Sequence, residues 1–413
     1  MNIAVLGGGV EGNAVKKYFT ERGDHVQIFD KFKDEDIEGF KLEDYDKVFR
    51  SPSVHPLDKN WTSMTKFFFD NCKAKIIGVT GTKGKGTTCS LITAILKELI
   101  KDSEWPSRTV WLVGNIGNPC IEALDKIAED DVVVFEMSSF QLWDLEKSPH
   151  VAVVGTIEPD HLNVHNGFDD YVNAKANICR HQSADDYLVY FSLSSDSKKI
   201  ADTSSAKKLT YPFNLPTDIL DAIVIPGEHN KMNAMAAIAA VACYNNISPD
   251  EYLSTYKTEI IKGLKSFKGL PHRLEYVGEL NGVKYYDDNF STNPASTRVA
   301  IDAFPNNDVV AIIGGRDKTD NEDLPEIYEV ISAKNVKRVI LMGESGHEIA
   351  KRWQDDRFIV VESLKDAVKT AKQEAEKLAS AIVLMSPSAA SFDMFENVYD
   401  RGAKYQALIK RLF

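Results

Sequence analysis

Short apolar runs alternate with longer stretches in which apolar positions recur every three or four residues, over almost the whole chain. The runs NIAVLG (2–7), HVQIFD (25–30), KIIGV (75–79), VVVFE (132–136), VAVVGTI (151–157), VVAIIGG (309–315), VKRVILMG (336–343) and AIVLMSP (381–387) read as strands, and most lead into a helical pattern. That alternation predicts an α/β fold with mainly parallel sheets. Three blocks follow, with boundaries placed at 1–70, 71–268 and 269–413. The first holds a strand, a helix to about Arg22 and a second strand, and has room for four or five strands. The second runs from KIIGV to a helix beginning near GEHNKMNAMAAIAAVA (227–242), and the third opens near GLPHR (269–273). Residues 191–226 are polar and irregular, and no element is assigned to them.

Composition narrows the class. The chain has 413 residues, 43% of them hydrophobic and 27% charged, which suits a soluble globular protein with more than one core. Its net charge of −12 speaks against non-specific nucleic-acid binding. The five cysteines are scattered with no C-x-x-C pair, so neither a zinc cage nor a disulfide framework is expected, and a reducing cytoplasm fits. No stretch approaches the roughly 18 apolar residues of a membrane span, and MNIAVLGGG reads as a strand start rather than a signal peptide.

Two glycine-rich segments carry candidate chemistry. Gly7-x-Gly9-x-x-Gly12 lies between a strand and a helix, with Asp30 ending the next strand. That arrangement presents a helix N-terminus to a diphosphate, and the block is short for a full dinucleotide fold. The plainer alternative is that these glycines serve turning and packing alone. The second segment, GVTGTKGKGTTC (78–89), follows a strand and opens a helix from about Lys85 to Lys101. Backbone N–H groups around Gly81, Thr82, Lys83, Gly84 and Gly86 can converge on phosphate oxygens, with Lys85 at the β/γ charge. Glycine stands where such loops carry a hydroxyl after the lysine, so Thr87 and Thr88 are the candidates to supply it. A metal then needs ligands from outside the loop. Mg²⁺ prefers oxygen donors, and Glu136 and the Asp160–His161 pair sit at strand ends where α/β sites form. Lys175, on a predicted helix in FDDYVNAKAN, reads by itself as a solvated helical lysine.

With these segments in place the chain resembles the Mur ligases, the ATP-dependent amino-acid-adding enzymes of peptidoglycan synthesis. The resemblance rests on GVTGTKGKGTT, GNIG (114–117), FEMSSFQL (135–142), DHLNVH (160–165), YVNAKAN (171–177), GEHNKMNA (227–234), GLPHR, DDNFSTNPAST (287–297) and SPSAASFDMFENVYDRG (386–402), in family order over nearly the whole chain. The pattern is nearest to that of the D-glutamate-adding members. It implies a Rossmann-like UDP-binding domain, a central phosphate-loop ATPase domain and a Rossmann-like C-terminal domain that brings the amino acid. It implies ATP, two Mg²⁺ ions, UDP-N-acetylmuramoyl-L-alanine and D-glutamate as ligands, an acyl-phosphate intermediate and a cytoplasmic monomer. Lys175 falls on the lysine carbamylated in most of the family, which would join Thr87, Glu136 and His161 as a metal ligand. Asn233, Arg273 and Asp288 fall on ATP contacts. Gly9, Val10, Asp30 and Lys31 fall on the uridine-diphosphate site, and Asn115, Ser138 and Gln141 on the muramoyl site. Thr292, Lys318 and Ser391 fall on residues that hold the incoming amino acid. Domain closure is expected about a hinge near Lys268–Gly269, and the general base is left open.

The chain also departs from the pattern. Gly86 is a feature of folylpolyglutamate synthetases, which share the ATPase domain. Phe290 stands where the D-glutamate-adding enzymes carry lysine, Val398 replaces an aromatic residue, and the first block is short. Two other enzymes therefore stay in view, a Mur-type ligase for a different amino acid and a folylpolyglutamate synthetase-like ligase. A non-catalytic nucleotide-binding regulator is the reading from outside enzymology; it would need no cluster of Lys175, Glu136 and His161 and would bind ATP without consuming it.

Overall fold

The computed structural model describes residues 1–30, 41–101, 108–162, 164–316, 322–379 and 381–412. It is an α/β structure built on three mainly parallel sheets, as the alternating pattern predicts. The first sheet contains β1 (Asn2–Leu6), β2 (His25–Phe29), β3 (Lys47–Arg50) and β4 (Thr62–Ser63) in the order β2-β1-β3-β4. The second contains β5 (Lys75–Thr80), β6 (Val110–Gly114), β7 (Val132–Glu136), β8 (Val151–Val154), β9 (Tyr187–Phe191) and β10 (Lys207–Tyr211), ordered β10-β9-β8-β5-β7-β6 and parallel throughout. The third contains β11 (Glu275–Leu280), β12 (Val283–Asp287), β13 (Asp308–Ile313), β14 (Val336–Leu341), β15 (Phe358–Val360) and β16 (Ala381–Met385). Its order is β11-β12-β16-β13-β14-β15, and only β11 runs antiparallel to its neighbour.

The chain divides into two compact units, Met1–Ile223 with Lys231–Phe267, and Val224–Asn230 with Lys268–Phe413. The first unit holds the first two sheets, and these share an apolar core. Ile3, Val5, Phe19 and Phe49 belong to it together with Ile76, Val133 and Phe135. Phe68 and Phe69, on the helix Met64–Asn71, meet the Phe135 ring at 5.5 and 5.6 Å between centroids. In the second unit the strand residues alternate between two cores. Val309, Ala311 and Ile313 face one, while Val310 and Ile312 face the other. A parallel strand covered on both faces needs apolar residues at every position, which is why VVAII reads as a continuous run.

The polar stretch 191–226 is more ordered than its sequence suggests. It contains the helix Ser195–Ala201, capped by the Ser194 side chain, then β10 and the helix Thr217–Leu220. β10 is an edge strand, KKLTY, in which only Tyr211 is buried. With so little apolar surface to hide it shows no strand pattern in sequence. Among the described residues no helix is long and apolar enough to cross a membrane.

Candidate active site

The phosphate-type loop leaves the C-terminal end of β5, the second sheet's strand between β8 and β7, and ends in the helix Lys85–Lys101. Its form is tied to its residues. Gly84 has φ +78°, and a Cβ there would lie 2.4 Å from Asn233 Oδ1. Only glycine meets both conditions without strain. Thr88 donates to the same Asn233 oxygen at 3.3 Å, so the first turn of the helix and Asn233 are drawn together. Thr82 is clamped from the other side. Its hydroxyl accepts from the Glu158 N–H at 2.9 Å and lies 2.9 Å from the Tyr171 hydroxyl. Lys83 is exposed and pairs with Glu158 at 3.4 Å, while Gly86 and Thr87 are half-buried in the first helical turn.

Two lysines converge on this loop. Lys85 Nζ donates to the carbonyls of Gly81 and Thr82, at 2.9 and 3.0 Å. Lys175 Nζ donates to the same Gly81 carbonyl at 3.0 Å and to Thr80 Oγ1 at 3.3 Å. Lys175 is 1% exposed, which overturns the expectation of a solvated helical lysine. The helix Phe168–Arg180 turns this residue inward, with the ammonium 4.7 Å from the centre of the Tyr171 ring. Burial drives its pKa well below the usual lysine value and the charge of Lys85 adds to that, while Asp160 and Glu136 pull the other way.

Glu136 ends β7 beside β5, in register with Val79. Its side chain is buried, and Oε1 accepts from Asn115 Nδ2 at 3.3 Å. Among the described residues no cation pairs with it. A buried carboxylate without a cation is the donor a hard divalent ion needs, and the Thr87 hydroxyl, in the first turn of the loop helix, is an oxygen donor of the same kind. Lys175 would join such a set as a carbamate, because an ammonium has no lone pair and an amine offers no oxygen to a hard ion. His161 follows β8 with φ +54°, a half-exposed side chain and Asp160 at 3.5 Å. Its ring meets Phe140 at 4.9 Å, and His165 stacks on the same Phe140 at 5.2 Å. His165 is buried between Ser139 Oγ at 2.9 Å and Asp170 at 3.0 Å. That relay fastens the loop bearing His161, and sequence reasoning did not single it out. Its only trace is the spacing of SSFQL and DHLNVH.

At the first sheet, Gly9 caps the helix Val10–Thr20, Val10 is exposed, and Asp30 Oδ1 accepts from the Gly8 N–H at 2.7 Å. A Cβ on Gly12 would lie 2.0 Å from the Gly7 carbonyl oxygen, so this third glycine is needed for helix–strand packing whatever binds. Lys31 lies outside the described residues. Ser138 and Gln141 form a capping box on the helix Ser139–Leu142, and Gln141 Nε2 donates to Glu11 at 2.7 Å. Glu11 had not been foreseen here. Burial raises its carboxyl to about 7, against the opposing pull of Gln141 and Arg50.

In the second unit the expected residues cluster at the C-terminal ends of the parallel strands. Asp288 and Thr292 follow β12, and Ser391 follows the adjacent β16. Asp288 is buried, accepting from Ser386 Oγ at 2.8 Å and from the Leu274 N–H at 3.0 Å, and burial lifts its carboxyl to about 6. Arg273 is exposed, its guanidinium 4.8 Å over the Phe290 ring. Ser391 is buried, Thr292 half-buried, and Lys318 lies outside the described residues.

Comparisons with known proteins agree with this architecture. The description "Mur ligase middle domain" matches residues 79–223, and "Mur ligase, glutamate ligase domain" matches residues 272–389. A UDP-N-acetylmuramoylalanine–D-glutamate ligase of Acetivibrio thermocellus is 33% identical over 99% of this chain and 96% of its own length. The ligase of the same name from Ruminiclostridium cellulolyticum is 31% identical over the same shares. Among solved structures, the MurF ligase of Thermotoga maritima in complex with ADP has a TM-score of 0.59 at 16% identity, covering 99% of this chain and 95% of that one. The folylpolyglutamate synthase of Mycobacterium tuberculosis complexed with ADP has a TM-score of 0.58 at 16% identity, over 84% of this chain and 93% of that one. These two likenesses concern the fold. The near-complete matches to D-glutamate ligases, together with the two domain matches, establish that this chain belongs to the Mur ligase family.

Proposed function

We propose that this chain is an ATP-dependent ligase that joins D-glutamate to UDP-N-acetylmuramoyl-L-alanine through an acyl phosphate, in cytoplasmic assembly of the peptidoglycan precursor. The observation that carries the reading is the meeting of Lys85 and Lys175 on the Gly81 carbonyl, just beyond the end of β5, whose neighbour β7 ends in buried Glu136. That cluster, in a chain similar end to end to named D-glutamate ligases, favours a phosphoryl-transfer enzyme over a regulator that only binds nucleotide.

The chemistry follows from the residue types. A carboxylate does not acylate an amine, because oxide is too poor a leaving group. The alanyl carboxylate attacks the γ-phosphorus of ATP in line; the new P–O bond forms as the bond to the β,γ-bridging oxygen breaks, and ADP leaves. Loop N–H groups and Lys85 hold the phosphates and offset the developing charge. The D-glutamate amine, once deprotonated, attacks the acyl carbon, and inorganic phosphate departs with the C–O electron pair. Thr87, Glu136, His161 and carbamylated Lys175 would hold Mg²⁺, which when bound neutralises charge on the transferring phosphoryl group. Asn233, Arg273 and Asp288 contact ATP in this reading. Gly9, Val10, Asp30, Lys31, Asn115, Ser138 and Gln141 serve the UDP substrate, and Thr292, Lys318 and Ser391 the amino acid. Labour is divided among segments 1–70, 71–268 and 269–413, and the enzyme acts as a monomer.

The test is phosphate release with ATP, Mg²⁺ and UDP-N-acetylmuramoyl-L-alanine against D-Glu, L-Glu, D-Asp and L-Lys in separate wells. Release with D-Glu alone is expected. Release with a different amino acid would favour the second reading, a Mur-type ligase of other specificity, to which Phe290 gives some weight. Silence in every well, with a folate and L-glutamate active instead, would overturn both.

A further inference from the structure

Among the described residues, the most deeply buried cation in the second unit is used by none of the steps above. Arg401 is 0% exposed, on the helix Val398–Lys410. Its guanidinium has five N–H donors, and all five are engaged. Nε donates to Asn289 Oδ1 at 2.8 Å. Nη1 donates to the Ala389 and Ala390 carbonyls at 3.1 and 3.2 Å, and Nη2 to the Asn289 and Ala389 carbonyls at 3.0 and 3.1 Å. Every acceptor is neutral. Among the described residues no carboxylate pairs with Arg401; Asp393 and Asp287 act on it only at longer range. Burial lowers its pKa to about 10, which leaves a full positive charge at neutral pH.

The acceptors belong to the two loops that follow β12 and β16. Asn289 lies three residues before Thr292, and Ala390 immediately precedes Ser391. A further backbone bond joins these loops, from the Ser388 N–H to the Ser291 carbonyl at 2.9 Å. Gly315 closes the cage from a third loop, where a Cβ would lie 2.2 Å from the Ala390 carbonyl oxygen and 3.1 Å from Arg401 Nη1. The guanidinium is therefore both a clasp between the loops and a buried charge with no ion-pair partner among the described residues. Buried charges usually have an opposite charge or a metal beside them. One lacking such a partner raises the positive potential of its surroundings, and low-dielectric walls preserve that effect.

We propose that Arg401 is a positioning residue that sets the Thr292 and Ser391 loops at their working separation and gives the amino-acid site a positive potential favouring a dicarboxylic substrate. This rests on the reading that those two loops receive the incoming amino acid. It predicts that the chain selects an amino acid with a second carboxylate through charge as well as direct contact.

The experiment measures KM for D-Glu, ATP and UDP-N-acetylmuramoyl-L-alanine in Arg401→Gln, Arg401→Lys and Asn289→Ala, with circular dichroism melts as a check on folding. In Arg401→Gln the KM for D-Glu is expected to rise about tenfold or more, while the other two KM values stay within about twofold. Arg401→Lys keeps the charge but loses the fork, and should recover part of the D-Glu affinity. Asn289→Ala removes one acceptor and leaves the cation in place, so a smaller rise confined to D-Glu is expected. Should the Arg401 variants fail to fold, Asn289→Ala alone decides, and an unchanged KM for D-Glu in it overturns the proposal. A parallel rise in all three KM values, or an equal loss in the glutamine and lysine variants, would make Arg401 a purely structural residue. Wild-type turnover with a neutral amino acid and none with D-Glu would overturn the reading on which the proposal rests.

Discussion

A lysine with almost no exposed surface and no carboxylate against it destabilises a fold unless its ammonium is neutralised or altered. Lys175 is in that position among the described residues, and burial holds its pKa well below the usual lysine value, which favours the neutral amine. Addition of the free amine to CO2, forming an N–C bond and releasing one proton, would turn this side chain into an anionic oxygen donor. Lys175→Ala should lower turnover about a hundredfold or more, on the scale expected for loss of an essential catalytic-site group, and a short carboxylic acid should restore part of it. Wild-type turnover in this variant would make Lys175 a packing residue. Glu136 belongs to the same scale. Glu136→Ala should raise the Mg²⁺ concentration needed for half-maximal rate and lower the rate itself; a superimposable Mg²⁺ titration would remove Glu136 from the metal site. Lys85 and Glu136 were legible in sequence because a lysine in a glycine loop and a carboxylate ending an apolar strand each have few other uses. The burial of Lys175 was not, since the hydrophobic pattern of its helix says nothing about the far side of a neighbouring loop.

At the scale of elements, strand ends and helix caps position the candidate side chains. The helix Val398–Lys410, which carries Arg401, is capped by Asn397, whose side chain accepts from the Asp400 N–H at 3.0 Å. Asn397→Ala should cost about 1 kcal/mol, read as a lower denaturant midpoint with an unchanged slope. The ring of His272, before β11, meets Asp287 at the end of β12 at 2.7 Å, with Glu275 also facing it. Gln406 Nε2 donates to Glu275 at 2.7 Å and to Asp287 at 2.9 Å. The hydrogen bond to Asp287 raises the His272 pKa above its ordinary 6.5, against the effect of burial. The folded chain then holds this proton more tightly than the unfolded chain does. The stabilisation is complete below pH 6.5 and is lost as pH rises through the higher folded-state value. Unfolding midpoints taken from pH 5.5 to 8.5 should therefore fall less steeply in His272→Gln than in the wild type. Equal slopes would remove His272 from the pH dependence. The edge strand β10 escaped sequence reading for a reason at this same scale. A strand with one buried residue has no periodicity to detect.

For the whole molecule, the proposed reaction has two separable halves. With [β,γ-bridge-18O]ATP and UDP-N-acetylmuramoyl-L-alanine but no amino acid, label should scramble from the bridge to non-bridging β-oxygens, because the acyl phosphate forms reversibly while ADP stays bound. No scrambling under conditions that support full turnover would rule out an acyl phosphate formed before the amine arrives. The first unit contains the loop, both lysines and Glu136, so the Lys175 and Glu136 variants should impair this exchange, while the Arg401 variants should leave it intact. That contrast keeps the two halves of the proposal independent.

What the sequence determined by itself was the class of fold and the parts list. Short continuous apolar runs suit strands buried on both faces, and the spacing of glycines, lysines and carboxylates restricts which chemistry they can serve. Family membership, too, was readable from ordered segments along the chain. Tertiary structure alone decided which of those parts meet. It put two lysines on one carbonyl, buried Glu136, tied Ser138 and Gln141 into a helix cap facing Glu11, and enclosed Arg401 among neutral oxygens. Such meetings depend on strand order and on the direction each helix face takes, and residues far apart in sequence carry no local trace of either.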